Sequence, residues 1–449
     1  MIRSTALILA IATALAASTG LAAGAAHPLQ RPGTTLAATV SAQDVRGVVD
    51  EIAGLVAKAY ALPERRAGIV KRLRDAQAAK RYDTADAAVL AARITEDLFA
   101  ASNDRHMYVN YDPPAFAGLR AAHATHADNA YADAVARKHN QGYEELRILS
   151  GNVRYAHISG FYWTDDATAR VIDEAARFLE GGDAVIVDLR GNGGGDGDAV
   201  HRLIAYFMKS EGQLLMSYHD GLSGTTVEAR MPNDLAGPRM IGKPLYVLID
   251  RGTGSAAEEF AYHVAQFKLG TLIGHTTAGA GNNNTLYPVA PGFVASVSTG
   301  IVTHPVSKTN WEGKGVPPDI DIAPAAALDE AHVRALRGLA GRASGEQRSA
   351  YEWDVTALEA RLKPIALGDE ALAAYAGRYG IRTIRVENHA LVFQRDGREP
   401  SALRPLAADL FTFENNDGLR LRFRRSGGRV TGFDLITQDG QTVPSDRTQ

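Results

Sequence analysis

The chain has 449 residues, with 48 basic against 51 acidic side chains, a formal charge of -3 and no cysteine. At roughly 100–200 residues per domain, that length predicts two to four domains, each able to bury a core. The even charge leaves no basic footprint for nucleic acid, and without cysteine there is no disulfide framework, thiolate nucleophile or thiolate metal site. Covalent chemistry, if any, falls to an oxygen or nitrogen nucleophile.

Residues 1–26 place Arg3 before an apolar stretch, Ala6 to Ala17, and then small residues around Ala22 to Ala26. This is the layout of a secretory signal peptide, with cleavage expected after Ala23, Ala25 or Ala26. The run is shorter than the roughly 20 residues a membrane span needs, and no later stretch is apolar enough to replace it. The expectation is a periplasmic or secreted protein with no membrane span after processing.

Residues 27–40 read as a tether. A helical domain is expected over 41–125: Val48, Val49, Ile52, Leu55, Val56 and Tyr60 recur at spacings of three and four, which makes one apolar face. Ser41 and Asp44 form a capping-box pattern at its start. Further helices run through Ile69 and Leu73 and from Ala88 to Leu98, ending at Ser102-Asn103-Asp104. From about 140 to 345 strand-like runs (Tyr155–Trp163, Ala184–Leu189, Leu245–Asp250, Phe293–Val302) alternate with helix-like runs (Ala167–Leu179, Asp198–Met208, Ala256–Phe267). That order predicts an α/β core with a mostly parallel sheet. A polar helix over 329–345 follows. Residues 350–449 then carry turn signals at Asp396-Gly397, Asp417-Gly418, Gly427-Gly428 and Asp439-Gly440 between short alternating runs, which predicts a small antiparallel β-meander or barrel.

The densest glycine cluster is VIVDLRGNGGGDGD (185–198). Tested from Gly191, Gly193 or Gly195, the dinucleotide fingerprint fails at its third position, where Asp196, Asp198 or Val200 stands. No G-K-[ST] accompanies it. Two readings stay open: a tight strand-to-helix turn, or a loop whose backbone N–H groups face an oxyanion.

LIDRGTGSAAEEF (248–260) puts Ser255 after a strand and at the start of a helix. Ser255 followed by Glu258 reads as a capping box. The same position suits a nucleophile, because the helix N-terminus supplies positive potential and the Ala256 N–H lies beside the hydroxyl. G-x-S-x-G, S-x-x-K and H-E-x-x-H are all absent. Among the histidines, His123 and His126 lie in a polar helical stretch, His263 points away from Ser255 along the helix, and His389 sits beside a turn. His106 stands at an element edge, after a polar break and before MYVNYDP.

Taken together, DRHMYVNYDP (104–113), VIVDLRGNGGG (185–195), GTGSAAEEFAY (252–262) and TNWEGKGVPPDIDI (309–322) resemble the tail-specific (C-terminal processing) serine protease family. The likeness is to the branch that includes tricorn core protease and interphotoreceptor retinoid-binding protein; YALPE (60–64) and KRYD (80–83) extend it to about residues 45–325. The resemblance implies a ClpP/crotonase-like core, Ser255 as nucleophile, His106 as general base and Glu312 as the supporting acid. It also implies an oxyanion hole from the Ala256 N–H and a glycine N–H of 193–195, taken as Gly194. The substrate would be a peptide or unfolded protein, with no cofactor and no metal. In the Ser-Lys branch a lysine serves as base, whereas HTTAGAGNNN (275–284) contains none. There is also little room for a PDZ domain, so C-terminal tail recognition loses support. A non-catalytic carrier of apolar ligands on the same fold, or an esterase using the same residues, are the alternative readings. The sequence leaves oligomeric state open.

Overall fold

The computed structural model describes residues 38–125, 130–163 and 166–448; the signal-peptide segment and His126 lie outside them. In chain order come α1 (Ala42–Ala59), α2 (Pro63–Ala78), α3 (Ala87–Ser102), β1 (Tyr108–Tyr111), α4 (Pro113–Thr125) and α5 (Ala130–Lys138). Next are β2 (Tyr143–Leu149), β3 (Val153–Ile158), α6 (Asp166–Glu180), β4 (Ala184–Asp188), α7 (Gly197–Ala205), β5 (Leu214–Asp220) and β6 (Thr226–Arg230). β7 (Leu245–Ile249), α8 (Ala256–Phe267), β8 (Thr271–Gly274), β9 (Asn283–Val289), β10 (Phe293–Thr303) and β11 (Ile320–Asp321) follow. The chain ends with α9 (Pro324–Ala340), α10 (Gly345–Leu362), α11 (Asp369–Ala373) and the strands β12 (Gly377–Tyr379), β13 (Arg382–Glu387), β14 (Ala390–Arg395), β15 (Ser401–Ala407), β16 (Leu410–Phe413), β17 (Asn416–Ser426), β18 (Arg429–Thr437) and β19 (Thr442–Asp446).

Contacts divide the described residues into two compact units, one within 38–147, 155–181 and 187–324, the other within 148–154, 182–186 and 325–448. In the first unit α1 opens on the expected capping box, with the Ser41 N–H on Asp44 Oδ2 (2.9 Å) and the Asp44 N–H on Ser41 Oγ (3.1 Å). Its apolar stripe of Val48, Val49, Ile52 and Val56 packs with Leu73, Leu90 and Ile94 and with Val289, Phe293 and Val297 of β9 and β10 in one core. Burying a side chain of that size is worth about 1.5–3 kcal/mol, so several such residues seat the three helices firmly on the strands.

Two sheets lie in or pass through this part of the chain. One has the order β11-β8-β7-β4-β3-β2, with β11, β8 and β7 parallel. The other, β1-β10-β5-β6 with β9 on β10, is antiparallel in every pair. The run 293–302, expected within the parallel sheet, is therefore the long central strand of the antiparallel one. β10 is buried along almost its whole length, its Ser296, Ser298 and Thr299 included, so no polar-out, apolar-in alternation marks it as antiparallel.

In the second unit, the helix expected over 329–345 is two: α9 starts at Pro324, whose missing N–H suits a first helical turn, and ends at Ala340. A second helix, α10, runs from 345 to 362. Strands β12 to β19 form an eight-stranded antiparallel meander in sequence order. The Thr448 N–H reaches the Arg378 carbonyl at 2.8 Å, which curls the sheet nearly closed around Tyr379, Phe411, Phe423 and Phe433. Arg420 lies over the Trp353 ring of α10 at 3.7 Å. His389 is exposed, on Asp369 at 2.8 Å. No helix among the described residues is long and apolar enough to cross a membrane.

Candidate active site

Ser255 closes the loop after β7 and is the N-cap of α8, with φ 51° and ψ -122°. A side chain at positive φ outside glycine costs about 1–3 kcal/mol and persists only where its surroundings over-determine it. Here they do. The Ser255 N–H donates to Glu258 Oε2 (3.0 Å), the Gly254 N–H to the Asn192 carbonyl (2.9 Å), and Asp250 Oδ1 accepts from both Gly191 (3.0 Å) and Gly252 (2.9 Å). The nucleophile loop and the glycine loop are thus tied together by Asp250 and Asn192. Ala256 is the first helical residue, so its N–H has no carbonyl partner within α8.

Gly194 lies against this turn. A Cβ placed on it, at φ +115°, would come 2.6 Å from Ser255 Cβ and 3.0 Å from the Ala256 nitrogen, so only glycine fits. Its own N–H donates to Asn192 Oδ1 at 2.9 Å, while Asn192 Nδ2 is held by the Ile158 carbonyl (2.8 Å).

His106 sits in the turn between α3 and β1. Asn103 ends α3 in the left-handed region, and the Asp104 carboxylate accepts the His106 backbone N–H (2.9 Å) through Oδ1. Asp104 Oδ1 also accepts from Ser298 Oγ of β10 (2.9 Å), and Oδ2 from Asn282 Nδ2 (3.0 Å) and Tyr60 Oη (3.4 Å). The loop 310–313 presents Glu312: Trp311 Nε1 donates to the Ala280 carbonyl (3.0 Å), and Glu312 Oε2 accepts from the backbone N–H groups of Gly281 and Asn282 (2.7 Å each). Asp104, His106 and Glu312 each bring a ligand-type atom within 4.8 Å of the others. His106 Nδ1 and Glu312 Oε1 are buried without a hydrogen-bond partner.

The charge balance is unusual for such a pocket. Burial pushes the His106 imidazole below its ordinary value of 6.5, opposed by the nearby Asp104 charge. Burial, with Asp104 as a second cause, pushes Glu312 up to about 8 against the pull of the two backbone amides. Desolvation of a carboxyl beside a like charge favours its protonated form. At neutral pH the trio therefore holds a neutral imidazole able to accept a proton.

A second cluster lies behind α8. Glu259 Oε1 meets His201 Nε2 (2.8 Å), His263 Nε2 (3.3 Å) and Tyr218 Oη (3.0 Å). His263 Nδ1 meets His304 Nε2 (3.1 Å), and His304 Nδ1 accepts the Val306 N–H (3.2 Å). The chain of donors settles the tautomers of His304 and His263. Because His304 Nδ1 accepts, its Nε2 donates to His263, whose Nε2 must then donate to Glu259. The inward ring nitrogens of His263 and His304 are thus all engaged in hydrogen bonds. In the first cluster both Asp104 oxygens and Glu312 Oε2 are used in the same way, which leaves two open atoms where a structural metal takes four ligands.

Of the residues named from sequence, His106 and Glu312 meet in one cluster. Ser255, Ala256 and Gly194 meet in one turn. Loop 277–282 joins the two groups, because Glu258 holds Gly279 and Ala280 as Glu312 holds Gly281 and Asn282. Asp104 was missed as a functional candidate; its place two residues before His106 was the available signal. Asn282 and Ser298 carried none.

Residues 152–322 match the family described as peptidase family S41, and residues 38–146 match the N-terminal domain of that peptidase in eukaryotic IRBP. Among solved structures, the chain is similar to a lipoprotein from Streptococcus agalactiae at 17% identity, covering 67% of this chain and 98% of that one, with a TM-score of 0.43. It is similar to the photosystem II D1 C-terminal processing protease at 17% identity, covering 64% and 95%, TM-score 0.39. The tricorn protease matches at 15% identity over 64% and 35%, TM-score 0.39. With both family models matched in order along the chain, the protein belongs to the S41 peptidase family and is a serine peptidase.

Proposed function

We propose that the protein is an exported endopeptidase in which Ser255 is the nucleophile, His106 the general base and Glu312 the supporting acid. Ser255 Oγ attacks the peptide carbonyl as His106 takes its proton, and the same histidine protonates the leaving amine. The oxyanion lies between the N–H groups of Ala256 and Gly194. Gly194 gives up its bond to Asn192 at that step, because an anionic oxygen is a stronger acceptor than an amide oxygen. Water activated by His106 then releases the acyl group. Asp104 and the ionised form of Glu312 stabilise the imidazolium. The peptide or protein substrate follows from the family, and export follows from the leader-like residues 1–26.

The observation that carries this reading is the strap of consecutive amides 279–282. Glu258, on the helix capped by Ser255, holds its first two members, and Glu312, beside His106, holds the last two. Ser255→Ala should lower kcat/KM on a peptide by about 10⁴-fold or more, and a fluorophosphonate probe should label Ser255 in the parent protein. Labelling of another serine, or wild-type turnover by Ser255→Ala, overturns the assignment. Cell fractionation of the full-length chain tests export.

A further inference from the structure

We infer that Glu258 is a positioning residue for catalysis, acting through the Ser255 backbone and the 279–282 strap, and that its capping geometry is only part of its role. The inference rests on Ser255 being the nucleophile. Glu258 is fully buried, yet its carboxylate accepts four donors from two directions. Oε2 takes the Ser255 N–H (3.0 Å) and the Ala280 N–H (2.8 Å); Oε1 takes the Gly279 N–H (2.6 Å) and Thr277 Oγ1. An ordinary capping box needs one carboxylate bond back to the N-cap. Of the other three, two hold the strap amides of Gly279 and Ala280 and the third holds Thr277, which leads into the strap.

Two consequences follow from this arrangement. The bond to the Ser255 N–H helps hold a non-glycine residue at φ 51°, so the direction in which Oγ leaves the backbone depends on the Glu258 carboxylate. The bonds to Gly279 and Ala280 fix the half of the strap that leads directly into Gly281 and Asn282. Those two amides hold Glu312, and Asn282 Nδ2 holds Asp104, which fixes the His106 turn. One carboxylate thereby sets the distance between the nucleophile and its base, although it touches neither the substrate nor a reacting atom. A misplacement of about 1 Å in such a constellation costs about 10²-fold in rate.

Glu259 provides the internal control. It is the next residue on α8, is also buried, and also accepts several donors, but from His201, His263 and Tyr218 on the face away from the strap. Glu258→Gln preserves the shape of the side chain but replaces one acceptor oxygen with a donor, which must face an N–H. The expected result is a fall in kcat of about 10²-fold with KM within about threefold. Fluorophosphonate labelling of Ser255 should slow in parallel, and the pH–rate limb of Glu312 should move to lower pH, because the Glu258 charge is one of the causes holding Glu312 up. Glu259→Gln, compared on the soluble folded fraction, should lose stability with kcat within about threefold of the parent.

Thr277→Val carries the test if Glu258→Gln does not fold. It removes one donor to the same carboxylate and should show the same kcat-only loss, at about tenfold. Normal kcat and labelling in folded Glu258→Gln, or in Thr277→Val where that variant carries the test, overturn the inference. So does an equal kcat loss in Glu259→Gln. If Ser255→Ala keeps its activity, the nucleophile assignment fails instead, and the two failures are distinguishable.

Discussion

Two buried clusters of histidine and carboxylate lie among the described residues, and they differ in their unspent bonding capacity. Around Glu259 the inward atoms of His201, His263, His304 and Tyr218 have partners, and the donor chain from the Val306 N–H fixes the tautomers of His304 and His263. Around Asp104 the carboxylate is saturated, yet His106 Nδ1 and Glu312 Oε1 are buried without partners. Unsatisfied buried polar atoms cost about 1–3 kcal/mol each. Five other atoms, among them Gln141 Oε1 and Tyr143 Oη, share that state among the described residues, so what sets this cluster apart is an open imidazole nitrogen beside an open carboxyl oxygen. Composition alone does not separate the clusters; satisfaction of their hydrogen bonds does.

Exchanging one histidine in each cluster should break the comparison most sharply. His106→Gln should lower kcat/KM by about 10³-fold or more, with a smaller loss of thermal stability than His201→Gln, because Nδ1 has no partner to lose and the bond at stake is to the Asn282 backbone. His201→Gln should do the reverse. It leaves Glu259 buried without its cation, which costs about 3–5 kcal/mol, while kcat/KM of the folded fraction stays within about threefold. Chemical denaturation with peptide kinetics on the same samples reads both effects. A His201→Gln variant that is inactive yet fully stable would move catalysis to the wrong cluster.

Glu312→Gln should sharpen the contrast from the catalytic side, by about 10–100-fold in kcat/KM. In the parent enzyme the rate should rise once through the His106 value, below 6.5, and again through about 8 as Glu312 ionises and favours the imidazolium. Glutamine cannot ionise, so the second rise should vanish while the first persists. A pH–rate profile that keeps its upper step in Glu312→Gln assigns that step elsewhere.

How far the sequence led depended on how local each signal was. The capping box of Ser41 and Asp44, the apolar stripe of α1 and the turn pairs of the C-terminal meander are short-range patterns, and each was legible. The antiparallel sheet was not: β10 pairs with β1, β5 and β9, and a fully buried strand carries no alternation to show which kind of sheet it joins. Within the site, Ser255, His106 and Glu312 were legible through motif resemblance. Asp104 read as the end of a polar break and Glu258 as a helix cap, because their further partners stand on distant segments. Ser298 is 194 positions from Asp104, and no spacing rule reaches that far.

The smallest expected effect lies in the pH dependence of stability, where each cluster should leave its own limb. Burial would lower His201, but the Glu259 and Asp198 carboxylates overcome it and hold the imidazole up to about 9. A folded value raised above 6.5 contributes stability that is complete below 6.5 and fades as pH rises through about 9. Asp198 on α7, Glu259 and His263 on α8, and Tyr218 on β5 all face this group. Asp196, raised by burial from 3.8 to about 7, and Glu312, raised from 4.5 to about 8, lose their contributions over a lower window, as pH rises through those ranges. The unfolding free energy should therefore decline across pH 6.5–9, by about 1–2 kcal/mol for the His201 limb after allowance for coupling between the partners. Glu259→Gln should remove the part above pH 8, because without that carboxylate burial and the remaining Asp198 leave His201 lower. Glu312→Gln should remove part of the decline below pH 8 and leave the upper part intact. Urea titrations at half-unit pH intervals separate the two limbs, and a single limb lost in both variants would mean that the clusters titrate as one.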